Sequence, residues 1–436
     1  MQTIISYIYD GICAITRKFP QRGAQYIDAL IYALVGNAPL YHVVRFFEKR
    51  KLKGKKDITS ICVIADVNIG DAVIAQGALG GLRSMFPHAR IDYIIKKKAE
   101  SLLRNNQGIS HVFGVYESAP TPSSQDIHSL QEVLSHNQYE IIINLCPFLK
   151  KKDLNVSSRS IIFDYTGLAV RIVRAEKHQN EISHMSHQMN QFMLDIFSSL
   201  CTEKDSFKYS GAKVSVSREA IDATSEWIQE NNKKGNQKIK ILFNPDASSR
   251  FTQIPLKTQR HILEKLLALD CVVWWGGGYS NTGDSYEFIR DLFETHANLV
   301  AVPEKLSLDS YAALIDASDI FITGDTGPLH IAASERYSSD DGTILRNSTA
   351  IYSIFSVTPP RIYGYDSTRI GFCGAQQRAV SKVYGVPNTQ RTLAFINKQA
   401  LRCSYEDIFF SAVSVDELLS DITAEITVRT KNYLEK

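Results

Sequence analysis

The chain has 436 residues, 44% hydrophobic and 22% charged, with a formal net charge of +3. The length is too great for one ordinary domain, and the composition excludes large-scale disorder. So small a charge gives no electrostatic ground for a nucleic-acid partner.

Residues 1–56 read as an appendage. Two apolar, aromatic-rich helical stretches, Ile4–Ile15 and Tyr26–Leu34, are broken around Pro20 and Gly23. A basic run follows, with Lys49, Arg50, Lys51, Lys53, Lys55 and Lys56. Such a segment either lies peripherally on an anionic membrane face or forms a packed hairpin with a solvated linker. No run reaches the ~18–20 apolar residues of a membrane-spanning helix. Asp10 interrupts the first apolar stretch and no basic residue precedes it, unlike a signal peptide. The expected location is therefore the cytoplasm. The seven scattered cysteines fit a reducing compartment, because no C-x-x-C pair occurs and Cys62, Cys146 and Cys271 lie in apolar strand-like runs.

From Ile58 the pattern alternates strand and helix. Ile61–Ala65 is a short buried strand, and Asn68–Asp71 turns into a helix running to about Met85. Strands at Ile91–Ile95, His111–Tyr116, Glu140–Leu145 and Ser160–Phe163 follow, with helices such as Ala99–Asn105 and Ser129–Leu134 between them. Apolar strands alternating with helices imply a parallel sheet covered on both faces, here an α/β domain over 57–210. The pattern then repeats over 211–436. Strands are expected at Lys240–Asn244, Cys271–Trp275, Leu299–Val302, Ile320–Thr323 and Ala350–Ile354. Helices are expected at Thr258–Leu269, Tyr286–His296, Leu308–Ala317 and from about Leu329. The final helix, Val415–Thr427, is expected to pack across the junction of the halves, and Glu335–Thr349 and Gly364–Leu401 read as long loops. The fold class is thus α/β, two Rossmann-like doubly wound domains with a ligand cleft between them and an N-terminal helical extension.

Four turns carry candidate chemistry. Asp71, after Gly70, sits at the first turn of a helix at a strand end, where a carboxylate serves either as a general base or as a helix cap. Gly324-Asp325-Thr326-Gly327-Pro328-Leu329-His330 follows a buried strand and opens a helix. The free N–H groups of such a helix start suit a diphosphate, with Asp325, Thr326 and His330 placed to touch phosphate, sugar or nucleoside. In Asn244–Arg250, Ser248, Ser249 and Arg250 are candidate phosphate ligands. Gly276, Gly277 and Gly278 end a strand and permit close backbone approach. Neither half contains G-x-G-x-x-G or a P-loop, which argues against a dehydrogenase or NTPase.

In this order and spacing, the four elements resemble the ADP-heptose:lipopolysaccharide heptosyltransferase family, glycosyltransferase family nine, from about Ile61 onward. The most specific pieces are Ile69-Gly70-Asp71 with Leu82–Pro87, and Asp325–Ala333. Softer matches are His187, Asn244–Arg250, the Gly276 turn, Phe355–Arg361 and Val415–Leu418. The resemblance implies a GT-B architecture, an acceptor domain and a nucleotide-sugar domain, and inverting transfer without metal or cofactor. It implies Asp71 as the base that deprotonates the acceptor hydroxyl. It also places the donor at Asp325, Thr326, Gly327 and His330. The implied partners are a nucleotide-sugar donor and a lipopolysaccharide or related glycolipid acceptor. The family's usual phosphate-binding lysine falls at Thr252, with Arg250 the nearest substitute. The alternatives are a transferase of this fold using another nucleotide sugar, a nucleotide-sugar epimerase, and a catalytically idle relative.

Overall fold

A computed structural model of the chain describes residues 46–55, 57–65, 68–117, 122–165, 168, 184–197, 200, 211–231, 239–247, 253–277, 284–303, 306–345, 348–355, 363–365, 382–385 and 414–434. The expected helical stretches Ile4–Ile15 and Tyr26–Leu34 lie outside these residues. So do Asp66, Ser248, Ser249, Arg250, Thr252, Gly278 and most of Gly364–Leu401. The described residues fall into two compact units, one ending at Val214 and one beginning at Ser215.

The first unit is built on β1 (Ser60–Ile64), β2 (Arg90–Lys96), β3 (His111–Tyr116), β4 (Ile141–Asn144) and β5 (Ile161–Phe163). They form one parallel sheet in the order β3-β2-β1-β4-β5. Its helices are α1 (Ile69–Ile74), α2 (Gln76–Met85), α3 (Ser124–Asn137), α4 (Lys151–Leu154) and α5 (Met185–Phe197), with a 3₁₀ helix at Lys97–Leu103 in place of the expected α-helix. Nearly every central-strand residue is buried, as a sheet covered on both faces demands. Cys62, Cys146 and Cys271 are buried thiols in no disulfide and serve as small core residues. The start of α3 follows from sequence chemistry: Ser123 and Asp126 form a reciprocal capping box.

α2 packs along α5, and glycine makes the approach possible. A Cβ on Gly77 would overlap the Ser186 backbone, and one on Gly81 would come within 2.9 Å of Met193 Cβ. Gly77 therefore has a packing reason.

The second unit contains β6 (Lys213–Val216), which crosses the unit boundary, then β7 (Ile239–Asn244), β8 (Cys271–Trp275), β9 (Leu299–Ala301), β10 (Ile320–Gly324), β11 (Glu335–Ser338), β12 (Ile344–Leu345), β13 (Ala350–Phe355) and β14 (Lys382–Gly385). Its main sheet runs β14-β13-β10-β7-β8-β9, with every described pairing parallel. Its helices are α6 (Arg218–Asn231), α7 (Leu256–Leu267), α8 (Asp284–Thr295), α9 (Leu308–Ala317), α10 (Gly327–Ala333) and α11 (Val415–Leu434).

Two expectations are corrected here. Glu335–Thr349 is not a structureless loop: β11 and β12 pair antiparallel and join β6 in a three-stranded sheet. Within Gly364–Leu401, residues Lys382–Gly385 form a strand that extends the main sheet beside β13. α11 packs on the core of the second unit. Leu418, Ile422 and Ile426 sit in one core cluster with Ile241, Ile262 and Ile320 of the second unit. The far end of α11 is pinned as well, because Tyr433 Oη donates to Asp319 Oδ1 (2.6 Å) and Arg429 donates to Ser348 O (2.9 Å).

The basic run is also partly structural. Residues 46–51 are helical and Leu52 is 1% exposed. Lys51 Nζ donates to Ile162 O (2.8 Å) and lies 5.2 Å from the centre of the Phe163 ring. Lys51 therefore covers the edge strand β5 rather than standing in solvent. Among the described residues no helix is long and apolar enough to cross a membrane.

Candidate active site

Strand order locates the binding edge of each unit. In the first, the chain steps from β1 to β2 and β3 on one side, then returns to place β4 and β5 on the other. In the second, β8 and β9 extend one way from β7, while β10, β13 and β14 extend the other. Ligands of open α/β sheets bind beyond the strand carboxyl ends where this order reverses, here β1/β4 and β7/β10. The turn bearing Asp71 leaves the end of β1. Asn244–Ala247 and Gly324–Gly327 leave the ends of β7 and β10.

Asp71 is the third residue of α1, and the N-cap is Asn68. Asn68 makes no side-chain cap to the backbone; its Nδ2 donates instead to Asp71 Oδ2 at 2.9 Å. Asp71 is thus not the helix cap, and its carboxylate is held by one neutral donor. Burial raises its pKa above the ordinary carboxylate value, opposed only by the Asn68 hydrogen bond. α1 passes into α2 with only Ala75 between, so the packing of α2 fixes the direction of Asp71. At the neighbouring end of β4, Asn144 closes its own turn: Nδ2 donates to Leu149 O and Oδ1 accepts from Cys146 N.

In the second unit a buried network ties the strand ends together. Tyr311 Oη donates to Asn244 Oδ1 (3.1 Å), and Asn244 Nδ2 donates to Thr323 Oγ1 (3.1 Å) and Asp246 O (3.3 Å). Thr323 Oγ1 and Thr326 Oγ1 are 3.2 Å apart, which carries the network to the start of α10. Thr326 is the N-cap residue, extended and without a side-chain cap bond. Pro328 in the first turn removes one backbone donor, so the N–H of Gly327 matters more for any anion there. The loop after β7 is closed at its base by Ile254 N donating to Pro245 O and Gln253 Nε2 donating to Asp246 Oδ1.

His330 lies inside α10 and is 4% exposed. Its Nδ1 is 2.9 Å from Tyr365 Oη, and Nε2 is 4.0 Å from Asp325 Oδ1. With the tyrosine donating to Nδ1, the ring proton sits on Nε2 and faces the Asp325 carboxylate. Burial pushes the His330 pKa down to about 3, so the ring is neutral near pH 7 and offers a hydrogen bond rather than a charge. The unfolded chain then takes up the proton first, near pH 6.5, and the native state loses stability as pH falls below that value. Between pH 7 and 5 the loss is expected to reach about 2 kcal/mol. In urea titrations His330→Gln should remove that slope; an unchanged slope would assign it to other groups.

Gly276 and Gly277 have occupants for the space a side chain would take. A Cβ on Gly276 would lie 2.9 Å from Tyr311 Oη, and one on Gly277 would overlap the Trp275 ring. Packing alone accounts for both glycines. Among the described residues no group of three or more His, Cys, Asp or Glu could hold a metal ion.

The structure thus brings Asp325, Thr326, Gly327 and His330 together at one switch point, with Gly276 just past the end of the neighbouring strand β8. Asp71 belongs to the switch point of the other unit. Ser248, Ser249, Arg250 and the His187 side chain lie outside the described positions. Tyr311, Asn144, Thr323 and Tyr365 escaped the sequence analysis, and Asn244 entered it only as the first residue of the Asn244–Arg250 turn. A polar residue ending an apolar strand is the one signal that marks Asn144 and Asn244, whereas nothing local marks Tyr365 as the partner of His330.

Two open parallel sheets in succession, each with polar turns at its switch point and neither with a dinucleotide fingerprint, make an α/β fold of two Rossmann-like units. Residues 127–336 match the model of glycosyltransferase family 9 (heptosyltransferase), and the chain resembles that family. The matched stretch contains Asn244, Gly276 and Asp325–His330 but begins after Asp71. No curated protein matches the sequence. Among solved structures, a family 9 glycosyl transferase from Veillonella parvula is 18% identical, covering 86% of this chain and 98% of its own, with a TM-score of 0.59. Escherichia coli ADP-heptose lps heptosyltransferase II is 15% identical, covering 85% and 99%, with a TM-score of 0.52. These likenesses establish the fold.

Proposed function

We propose that the chain moves a sugar, heptose from ADP-heptose, onto a hydroxyl of a lipopolysaccharide-core or related glycolipid acceptor in the cytoplasm, with inversion and without a metal ion. The observation that carries the mechanism is Asp71: a desolvated carboxylate of raised pKa, aimed by Asn68, at the switch point of its sheet. A base whose pKa approaches the working pH removes a proton more effectively than an ordinary carboxylate. The acceptor O–H gives its proton to Asp71 as its oxygen bonds to the anomeric carbon. The bond from that carbon to the phosphate oxygen breaks, and the nucleoside diphosphate departs with the electron pair.

The second unit holds the donor. The Gly327 N–H and the start of α10 face the diphosphate, Asp325 and Thr326 bind hydroxyls, and His330 donates from Nε2 as a neutral ring. Because His330 carries no charge, Arg250, with Ser248 and Ser249 beside it, supplies the cation that offsets charge growing on the leaving group. Gly276 and Gly277 keep the end of β8 flat beside the nucleoside.

Thermal-shift titration with ADP-, UDP-, GDP- and CMP-sugars tests the donor assignment, with His330→Ala as control. A ligand bound only by the native state raises its stability by mass action. A shift with ADP-heptose that disappears in the variant supports the assignment. A shift with another nucleotide sugar keeps the transferase and changes its sugar. No shift with any donor makes the chain an idle relative.

A further inference from the structure

The segment 46–55 presents a face that the transferase chemistry does not use. Lys51 is turned inward onto β5, where burial lowers its pKa against the opposing pull of the Asp164 and Glu48 carboxylates. Leu52 is buried beside it. With these two residues as anchors, the rest of the segment is held on the surface of the first unit. Phe46 is 60% exposed, its ring edge-to-face with Phe47 at 5.6 Å. A groove of about 780 Å³ is lined by Phe46, Lys49, Arg50, Lys53, Lys55 and Leu200 together with Leu52 and Gly54. Four of these residues are cations and none is a carboxylate.

We propose that this face is a docking surface for an anionic phospholipid bilayer, with Phe46 entering the interface and Lys49, Arg50, Lys53 and Lys55 meeting headgroup phosphates. Charge complementarity selects the partner. Cations beside a negative surface each add to attraction, and an exposed aromatic ring is suited to the headgroup boundary. A nucleic acid would use the cations but leave Phe46 and the apolar floor at Leu52 and Leu200 without a role, and the chain's net charge is only +3. The surface needs no insertion of a helix, because Lys51 and Leu52 keep the segment folded on the protein. It goes beyond the transferase assignment and does not depend on it.

The test is co-sedimentation of the full chain with vesicles of phosphatidylcholine alone or with about one-third phosphatidylglycerol. The wild-type protein is expected to partition at least about 10-fold more strongly into the anionic vesicles, less so at high salt. The quadruple variant K49S/R50S/K53S/K55S should lose at least about 10-fold of that partitioning, and Phe46→Ser several-fold. Arg50 and Lys53 are exposed, Lys49 and Lys55 are half-buried, and Lys51 is kept, so folding should be preserved. Nucleotide-sugar thermal shifts on the same preparations check this and separate a failed surface from a failed donor assignment. Equal partitioning into both vesicle types, wild-type partitioning by the quadruple variant, or binding of an oligonucleotide in preference to vesicles would overturn the proposal.

Discussion

Asp71→Asn is expected to lower kcat by about 1,000-fold while leaving donor affinity unchanged, the usual scale for loss of a positioned general base. The substitution keeps the shape of the side chain and an oxygen to accept from Asn68 Nδ2, so α1 should stay in place. Its effect on stability has the opposite sign from its effect on rate. A carboxyl whose pKa is raised by folding binds its proton more tightly in the native state than in the unfolded chain. Its ionisation therefore costs native stability as pH rises through the unfolded value toward the folded one. Removing that charge should leave the protein as stable at neutral pH, or more so. Steady-state rates and urea titrations on the same variant separate the two roles. The pH profile adds a third readout: in the wild-type protein kcat/KM should rise along an acid limb above the usual carboxylate range, and the variant should lack it. Retained transfer would return Asp71 to a purely structural position in the first turn of α1.

Gly77→Ala should destabilise the first unit by about 3 kcal/mol, the upper part of the range for forcing atoms into a packed site. The obstacle is the Ser186 backbone, not a side chain that can rotate away. Ser186→Ala should accordingly fail to rescue the variant. Moving α5 away from α2 would also disturb the Phe197 ring, which meets Phe86 and Phe163 edge-on at 5.2 and 5.5 Å. Because only Ala75 separates α2 from the helix carrying Asp71, transfer should fall together with stability. Urea titration measures the first effect and single-turnover transfer the second. Wild-type stability in Gly77→Ala would mean that α2 and α5 do not approach as closely as this glycine allows.

Much of the architecture was legible along the chain because the period of burial is local. Apolar runs such as Ile61–Ala65 and Cys271–Trp275 require a sheet covered on both faces, and the intervening amphipathic runs supply the covers. Glycine and acid at strand ends marked Asp71 and Asp325–His330 for the same reason: a strand-to-helix turn needs a tight backbone and tolerates a polar side chain. The segment Glu335–Thr349 defeated local analysis. Its strands are short and partly polar, and their partner β6 lies more than a hundred residues earlier.

What the sequence determined by itself was therefore the order of most main-sheet strands, the repeated α/β pattern and the positions of the turns at their ends. Only the tertiary structure decided how those turns work. Thr323 meets Asn244 across 79 residues, Asn244 meets Tyr311 across 67, and His330 meets Tyr365 across 35. Such pairs leave no periodic trace, because each residue alone is an ordinary polar side chain. Burial then sets their chemistry, making His330 neutral and raising the pKa of Asp71. It likewise turned Lys51 from one more charge in a basic run into the clasp of an edge strand. Desolvation depends on what surrounds a group in space, and the chain brings those surroundings together only when it folds.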